Sequence, residues 1–253
     1  MNYQNKFYRN FEDSSRWVNF QVKVDTTDLF ISGNCDDTKN FQGIKKMTQS
    51  AFKKVKQLRK DLDNHLKQNE SFLFSFRPLK IFKTDSFLVK RMYQASNLAQ
   101  VGPMAAVAGG IAELVGKTLL KESKEIMVEN GGDLWLKVSE EVIINIFTNN
   151  IFFKDKINLK IYSKQTPAGI CTSSGRLGPS FSYGRADAVT ILAKDAFLAD
   201  AVATSAANKI KIKKDIEPTL DYALSIAGVW GVVVVLGDQL ALKGDLELVP
   251  NVF

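Results

Sequence analysis

Val18, Phe20, Val22 and Val24 alternate with polar residues, which predicts a half-buried strand. Asp25-Thr-Thr-Asp28 turns the chain, and Leu29-Phe-Ile31 begins a return strand. From about Thr38 to Leu66 the apolar positions Phe41, Ile44, Met47, Ala51, Val55, Leu58, Leu62 and Leu66 recur at spacings of three and four, the pattern of one long amphipathic helix. Residues 72–83 alternate around Pro78 and read as an edge strand or a loop. A helix from about Ser86 to Ala99 stops at Gly102-Pro103, and the proline opens the next one, which runs to about Leu120. The apolar Ile126-Met-Val128 then reads as a strand.

The second half is looser. Leu134–Val138, Val142–Phe147 and Ile157–Tyr162 are strand candidates, and their short connections predict an antiparallel meander. A Ser-, Gly- and Pro-rich stretch from Thr166 to Ala186 reads as a long loop. A buried strand, Ala188-Val-Thr-Ile-Leu192, precedes helices from about Phe197 to Lys209 and Ile216 to Ile226. Val229–Leu236 and Gln239–Lys243 form a hairpin about Gly237-Asp238. Helices in one layer against a mostly antiparallel mixed sheet make this an α+β chain. One domain over residues 1–253 is expected, with 1–14 as an N-terminal extension.

Composition narrows the chemistry. With 45% hydrophobic and 24% charged residues, a globular protein is expected. No apolar run reaches the roughly 20 residues of a membrane span, and Met1–Asn10 has no secretory h-region. Two cysteines, Cys35 and Cys171, suit a reducing cytoplasm. The one histidine, His65, rules out Cys/His metal clusters and is expected at the surface. The net charge of +7 draws on Lys45, Lys46, Lys53, Lys54, Lys56, Arg59 and Lys60. These fall mostly between the apolar positions of the long helix, so they read as a solvated face. A nucleic-acid or membrane partner is not expected.

Small residues in unbroken runs are what a packed core does not require. Val101-Gly-Pro-Met-Ala-Ala-Val-Ala-Gly-Gly-Ile-Ala-Glu113 and Ile126-Met-Val-Glu-Asn-Gly-Gly-Asp133 let backbone approach backbone, or backbone approach a ligand. Tight helix packing at Gly109 and Gly110 and an ordinary turn at Asn130–Asp133 account for them equally well. Asp200 and Thr204 lie four apart on a helix, a carboxylate and a hydroxyl among alanines that suit Mg²⁺ near a phosphate. The alternative is that Asp200 caps a helix starting just after it. Gly169-Ile-Cys-Thr-Ser-Ser-Gly175 offers hydroxyls and free N–H groups for phosphate oxygens. Cys171 is either a catalytic nucleophile or a buried small hydrophobe.

Together and in this order, these segments resemble the ApbE-like superfamily, that of the FAD:protein FMN transferases. The matching elements are Gly131-Gly-Asp133, Thr172-Ser-Ser-Gly175 and Ala199-Asp-Ala-Val-Ala-Thr204. The likeness is closer to a separate prokaryotic branch, through Val101–Gly109, Val128–Asp133, Cys171–Gly175 and Ala186-Asp-Ala-Val-Thr190. The resemblance implies Mg²⁺ on Asp200 and Thr204. It also implies a flavin or adenine nucleotide lined by Gly109, Gly110, Asn130, Gly131, Gly132, Asp133, Thr172, Ser173, Ser174 and Gly175. The transferases carry a His-x-x-Asp-Pro string after the Thr-Ser-Gly loop, whereas this chain reads Gly178-Pro-Ser180 and Tyr183-Gly-Arg-Ala-Asp187. Genuine FMN transfer is therefore not expected. The other readings are a sulfur-assimilation factor forming homocysteine with Cys171, and a non-catalytic interaction protein. A homodimer is compatible with each.

Overall fold

Valine-rich strands joined by tight turns build the frame. The computed structural model describes residues 16–34, 41–84, 86–154, 156–175 and 184–250. β1 (Val18–Val24) and β2 (Thr27–Asn34) form the expected hairpin, and β3 (Glu125–Asn130) pairs with β2. β4 (Asp133–Lys137), β7 (Ala168–Ser173), β8 (Ala188–Ala193), β9 (Val229–Leu236) and β10 (Gln239–Gly244) complete an 8-stranded sheet in the order β1-β2-β3-β4-β7-β8-β9-β10. Every neighbouring pair is antiparallel. β5 (Val142–Asn145), β6 (Asn158–Ile161) and β11 (Glu247–Val249) make a separate 3-stranded sheet.

Two expectations fail here for one reason. The predicted meander does not form, because β4 pairs with β3 and β7, and among the described residues β5 pairs only with β6. The edge of β4 that would have received β5 is occupied by β7, which lies inside the stretch read as a loop from Thr166 to Ala186. Ala168-Gly-Ile-Cys-Thr-Ser173 does not look like a strand because its residues are small, and they are small because both faces are covered.

The helices lie on one face of the large sheet: α1 (Phe41–Gln68), the single turn α2 (Ser71–Phe74), α3 (Phe87–Ala99), α4 (Val107–Leu119), α5 (Ala196–Lys209) and α6 (Ile216–Ser225). Alternate strand residues show the two-sided burial. Val232 and Val234 pack with Leu220 and Val202 of the helical layer, while Val233 and Val235 pack with Leu159 and Ile161 of the small sheet. Residues 75–84 contain neither helix nor strand. Ser86 caps α3 by accepting from Val89 N–H, and Pro103 opens a 3₁₀ turn, Pro103–Ala106, before α4.

His65 is not at the surface. It continues the buried stripe of α1 through Val55, Leu58 and Leu62 and is only 4% exposed. Its Nε2 lies 3.1 Å from the Tyr93 hydroxyl and its ring meets Phe72 edge-on at 4.7 Å. Burial lowers its pKa and so favours the neutral ring.

Candidate functional site

The β3–β4 turn is shaped by its glycines. Gly131 and Gly132 have φ of 71° and 111°, the left-handed region where a side chain would be strained. A Cβ on Gly131 would meet nothing, so conformation rather than crowding demands glycine there, and the turn borders open space. Glu129 Oε1 accepts from Gly132 N–H at 2.9 Å, which braces the turn from within. Asn130 Nδ2 donates to the Ala108 carbonyl at 3.0 Å and docks it on the start of α4.

α4 and α5 each receive a carboxylate from the other. Asp200, in the second turn of α5, accepts from Gly109 N–H at 2.9 Å. Glu113, 1% exposed on α4, accepts from Ala196 N–H, the first amide of α5, at 2.8 Å. Both amides are among the unpaired donors of a helix start. Asp200 therefore does not cap a helix beginning after it: α5 starts at Ala196 under Asp195, whose side chain accepts from Leu198 N–H. The glycines of α4 make this approach possible. A Cβ on Gly109 would stand 2.3 Å from the Ala196 carbonyl oxygen, and one on Gly110 would stand 2.3 Å from the Phe197 ring. The close approach at Gly109 and Gly110 is thus helix against helix. A ligand contact is not what requires these glycines.

Three ionisable groups meet below the turn. Asp133 pairs with Cys171 across the β4–β7 ladder, and their side chains are hydrogen-bonded. Burial, and next the charge of Glu129, raise the Asp133 carboxyl to about 7, against hydrogen bonds from Cys171 and Thr172 N–H. Burial and the charge of Asp133 push Asp200 well above the usual carboxylate range. Cys171 is fully buried, and its sulfur also lies 3.6 Å from the Ala196 carbonyl oxygen, an alternative acceptor for its one proton. Burial, Asp133 and Asp200 all raise its pKa, so the environment favours the neutral thiol over a nucleophilic thiolate.

The hydroxyl segment leaves this pole along β7. Thr172 Oγ1 lies 2.8 Å from Thr190 Oγ1, and Ser173, Ser174 and Gly175 are half-buried. Gly175 N–H donates to the Ala186 carbonyl at 2.9 Å, which ties the end of β7 to the residues just before β8. Gly178, Pro179, Ser180 and Tyr183 lie outside the described residues, as does Cys35. Thr204, one turn beyond Asp200, is half-buried.

The structure thus brings Asp133, Cys171 and Asp200 together, and joins the turn through Asn130 to α4. Glu113 and Ala108 were not singled out as site residues from sequence. The only signal for Glu113 is an acid inside a small-residue helix. Among the described residues no three His, Cys, Asp or Glu side chains form a metal cage. A cation here would therefore draw on hydroxyl or main-chain oxygens besides carboxylates.

Comparisons with known proteins agree with this architecture. The sequence model of the family described as AbpE bacteria matches residues 9–240. A UPF0280 protein of Methanobrevibacter smithii is 38% identical over 203 residues, 77% of this chain and 84% of its own length. One from Methanococcus maripaludis strain C6 is 34% identical over 248 residues, 92% and 98% of the two chains. Among solved structures, the flavin transferase ApbE from Vibrio cholerae superposes with a TM-score of 0.60 at 13% identity, over 91% of this chain and 97% of that one. The apo flavinyl transferase ApbE of Pseudomonas stutzeri gives 0.59 at 12% identity, over 90% and 94%. At such identities the likeness speaks for the fold. No single helix among the described residues is long and apolar enough to cross a membrane. The matched span and the archaeal relatives place the chain in the AbpE bacteria family.

Proposed function

We propose that this protein binds a phosphate-bearing flavin or adenine nucleotide where the Gly131-Gly132 turn, the end of β7 and α5 meet, with Mg²⁺ held by Asp200 and Thr204. One observation carries the reading. A half-buried carboxyl, Asp133, and a buried one, Asp200, are both pushed toward the neutral form, Asp200 in part by the charge of Asp133, in a site bordered by an open glycine turn. A divalent cation is the partner that would let both ionise, and the donors are all hard oxygens. When bound, Mg²⁺ would neutralise and orient phosphate oxygens.

The residues of the chain divide the remaining work. Gly131 and Gly132 leave room for a ligand to approach the backbone. Thr172, Ser173, Ser174 and Gly175 supply hydroxyls and N–H groups along the path a phosphate would follow. Asp200, fixed by Gly109 N–H, keeps its carboxylate in one orientation. FMN transfer is not part of the proposal. His65 is committed to Tyr93 and Phe72 in the helical layer, and no other histidine exists. The sulfur-handling reading draws no support from Cys171, whose thiol is buried and held neutral.

Isothermal titration of the full chain with FAD and with ADP, each in Mg²⁺ and in EDTA, tests the proposal. Mg²⁺-dependent binding, weakened at least about tenfold by Asp200→Asn, is the expected result. Equal affinity in EDTA and in the variant, or no binding by either nucleotide, overturns it.

A further inference from the structure

We propose a second ligand site, in a groove between residues 79–81, α3 and the start of α5, that takes a small amphiphilic anion: an apolar chain ending in one carboxylate or phosphate. The groove encloses about 530 Å³, within the range of small-molecule pockets. It is separate from the site around Asp200. Leu198 forms part of its wall, and two residues along a helix is a turn of about 200°, so Leu198 and Asp200 point to opposite sides of α5.

Charge and shape define the occupant. Lys80, Arg91 and Lys194 face one acid, Asp195, in the lining. That acid is already engaged: one oxygen pairs with Arg91 Nη2 at 2.9 Å and the other accepts from Leu198 N–H at 2.9 Å. Arg91 is itself pinned, its guanidinium 5.2 Å above the Phe197 ring, yet its Nε is buried and has no hydrogen-bond partner. Lys80 and Lys194 form no ion pair among the described residues and stand exposed at the rim. Gln94 adds an amide to the lining, while Asn97 Nδ2 is taken up by the Leu79 and Tyr93 carbonyls. An anionic head therefore has cations ready for it.

The other half of the wall is apolar. Ala95 and Leu198 are buried in the floor, Leu79 is half-buried, and Ile81 and Leu98 project at the edge with 59% and 54% of their surface exposed. Covering two large aliphatic side chains favours a ligand with a hydrocarbon portion over a bare anion. A neutral apolar molecule would leave the cations without a counter-charge. An inorganic ion would leave the aliphatic edge wet.

Calorimetric titration of the full chain with octanoate, octyl phosphate, octanol and inorganic phosphate reads this out. Octanoate or octyl phosphate is expected to bind one to one, and whichever is tighter identifies the head group. Octanol and phosphate are expected to bind at least about tenfold more weakly. Lys194→Glu and Leu98→Asp, both at exposed positions, should each weaken the better ligand by about tenfold or more with an unchanged circular dichroism spectrum. The proposal is overturned if neither amphiphile binds, if octanol binds as well as octanoate, or if both variants bind like wild type. Sedimentation with phosphatidylglycerol vesicles without binding of free octanoate or octyl phosphate would also overturn it, by assigning the apolar edge to a bilayer.

Discussion

Asp200→Ala removes the acceptor of Gly109 N–H at the start of α4, where Ala106 supplies no side-chain cap of its own. A buried N–H left without an acceptor costs about 1–3 kcal/mol. For a chain of this size about 2 kcal/mol lowers the melting temperature by roughly 4–8 °C. The same substitution deletes a carboxylate crowded by Asp133, which offsets part of the loss. Asp200→Asn separates the two effects. Its amide oxygen still accepts from Gly109, while the like-charge repulsion disappears, so its stability should stay within about 0.5 kcal/mol of wild type or exceed it. Thermal melts of both variants at pH 7 in EDTA measure this directly. If Asn destabilises as much as Ala, the negative charge at the helix start outweighs the hydrogen bond and the reasoning fails. It fails too if alanine melts with wild type.

Further outcomes follow from other parts of the chain. Glu125 is nearly buried, which by itself would raise its pKa, but Arg16, Ser139 and Asn34 hold it down from 4.5 to about 2. A depressed folded value means its contribution, about 3 kcal/mol, is present above pH 4.5 and lost as pH falls toward 2. Urea titrations across that window should show a steeper acid loss for wild type than for Glu125→Gln. Gly116→Ala gains up to about 1 kcal/mol of helix propensity but sets a Cβ 2.2 Å from the Trp135 ring. A net loss of roughly 1–3 kcal/mol is expected in chemical denaturation. Cys171 should resist iodoacetamide in the native state at pH 8 and react in urea, as read by mass spectrometry of its peptide. Rapid native labelling would contradict its burial.

What could be read from the sequence was whatever its own local spacing determined. The hairpins at 18–31 and 229–243, and the helices of the first half, repeat their buried positions at regular intervals. His65 lies three residues after Leu62 on the buried stripe of α1, so its position was legible, yet its polarity argued for the surface. β7 was hidden because α5 covers Gly169 on one face while Ile170 enters the second core on the other, which leaves no alternation to detect. The site strings were visible, but not their geometry. Nothing near Asp133 announces Cys171 as its cross-strand partner, and nothing near Asp200 announces Gly109, 91 residues away.

The exchanged carboxylates of α4 and α5 have a dynamic consequence. Glu113 serves Ala196 and Asp200 serves Gly109, so sliding one helix along the other severs both bonds in a single event. The amides of Gly109 and Ala196 should then exchange with deuterium at one shared rate, and Glu113→Gln should accelerate both. A floor built this way opens as a unit or stays shut, leaving adjustment to the segments above it.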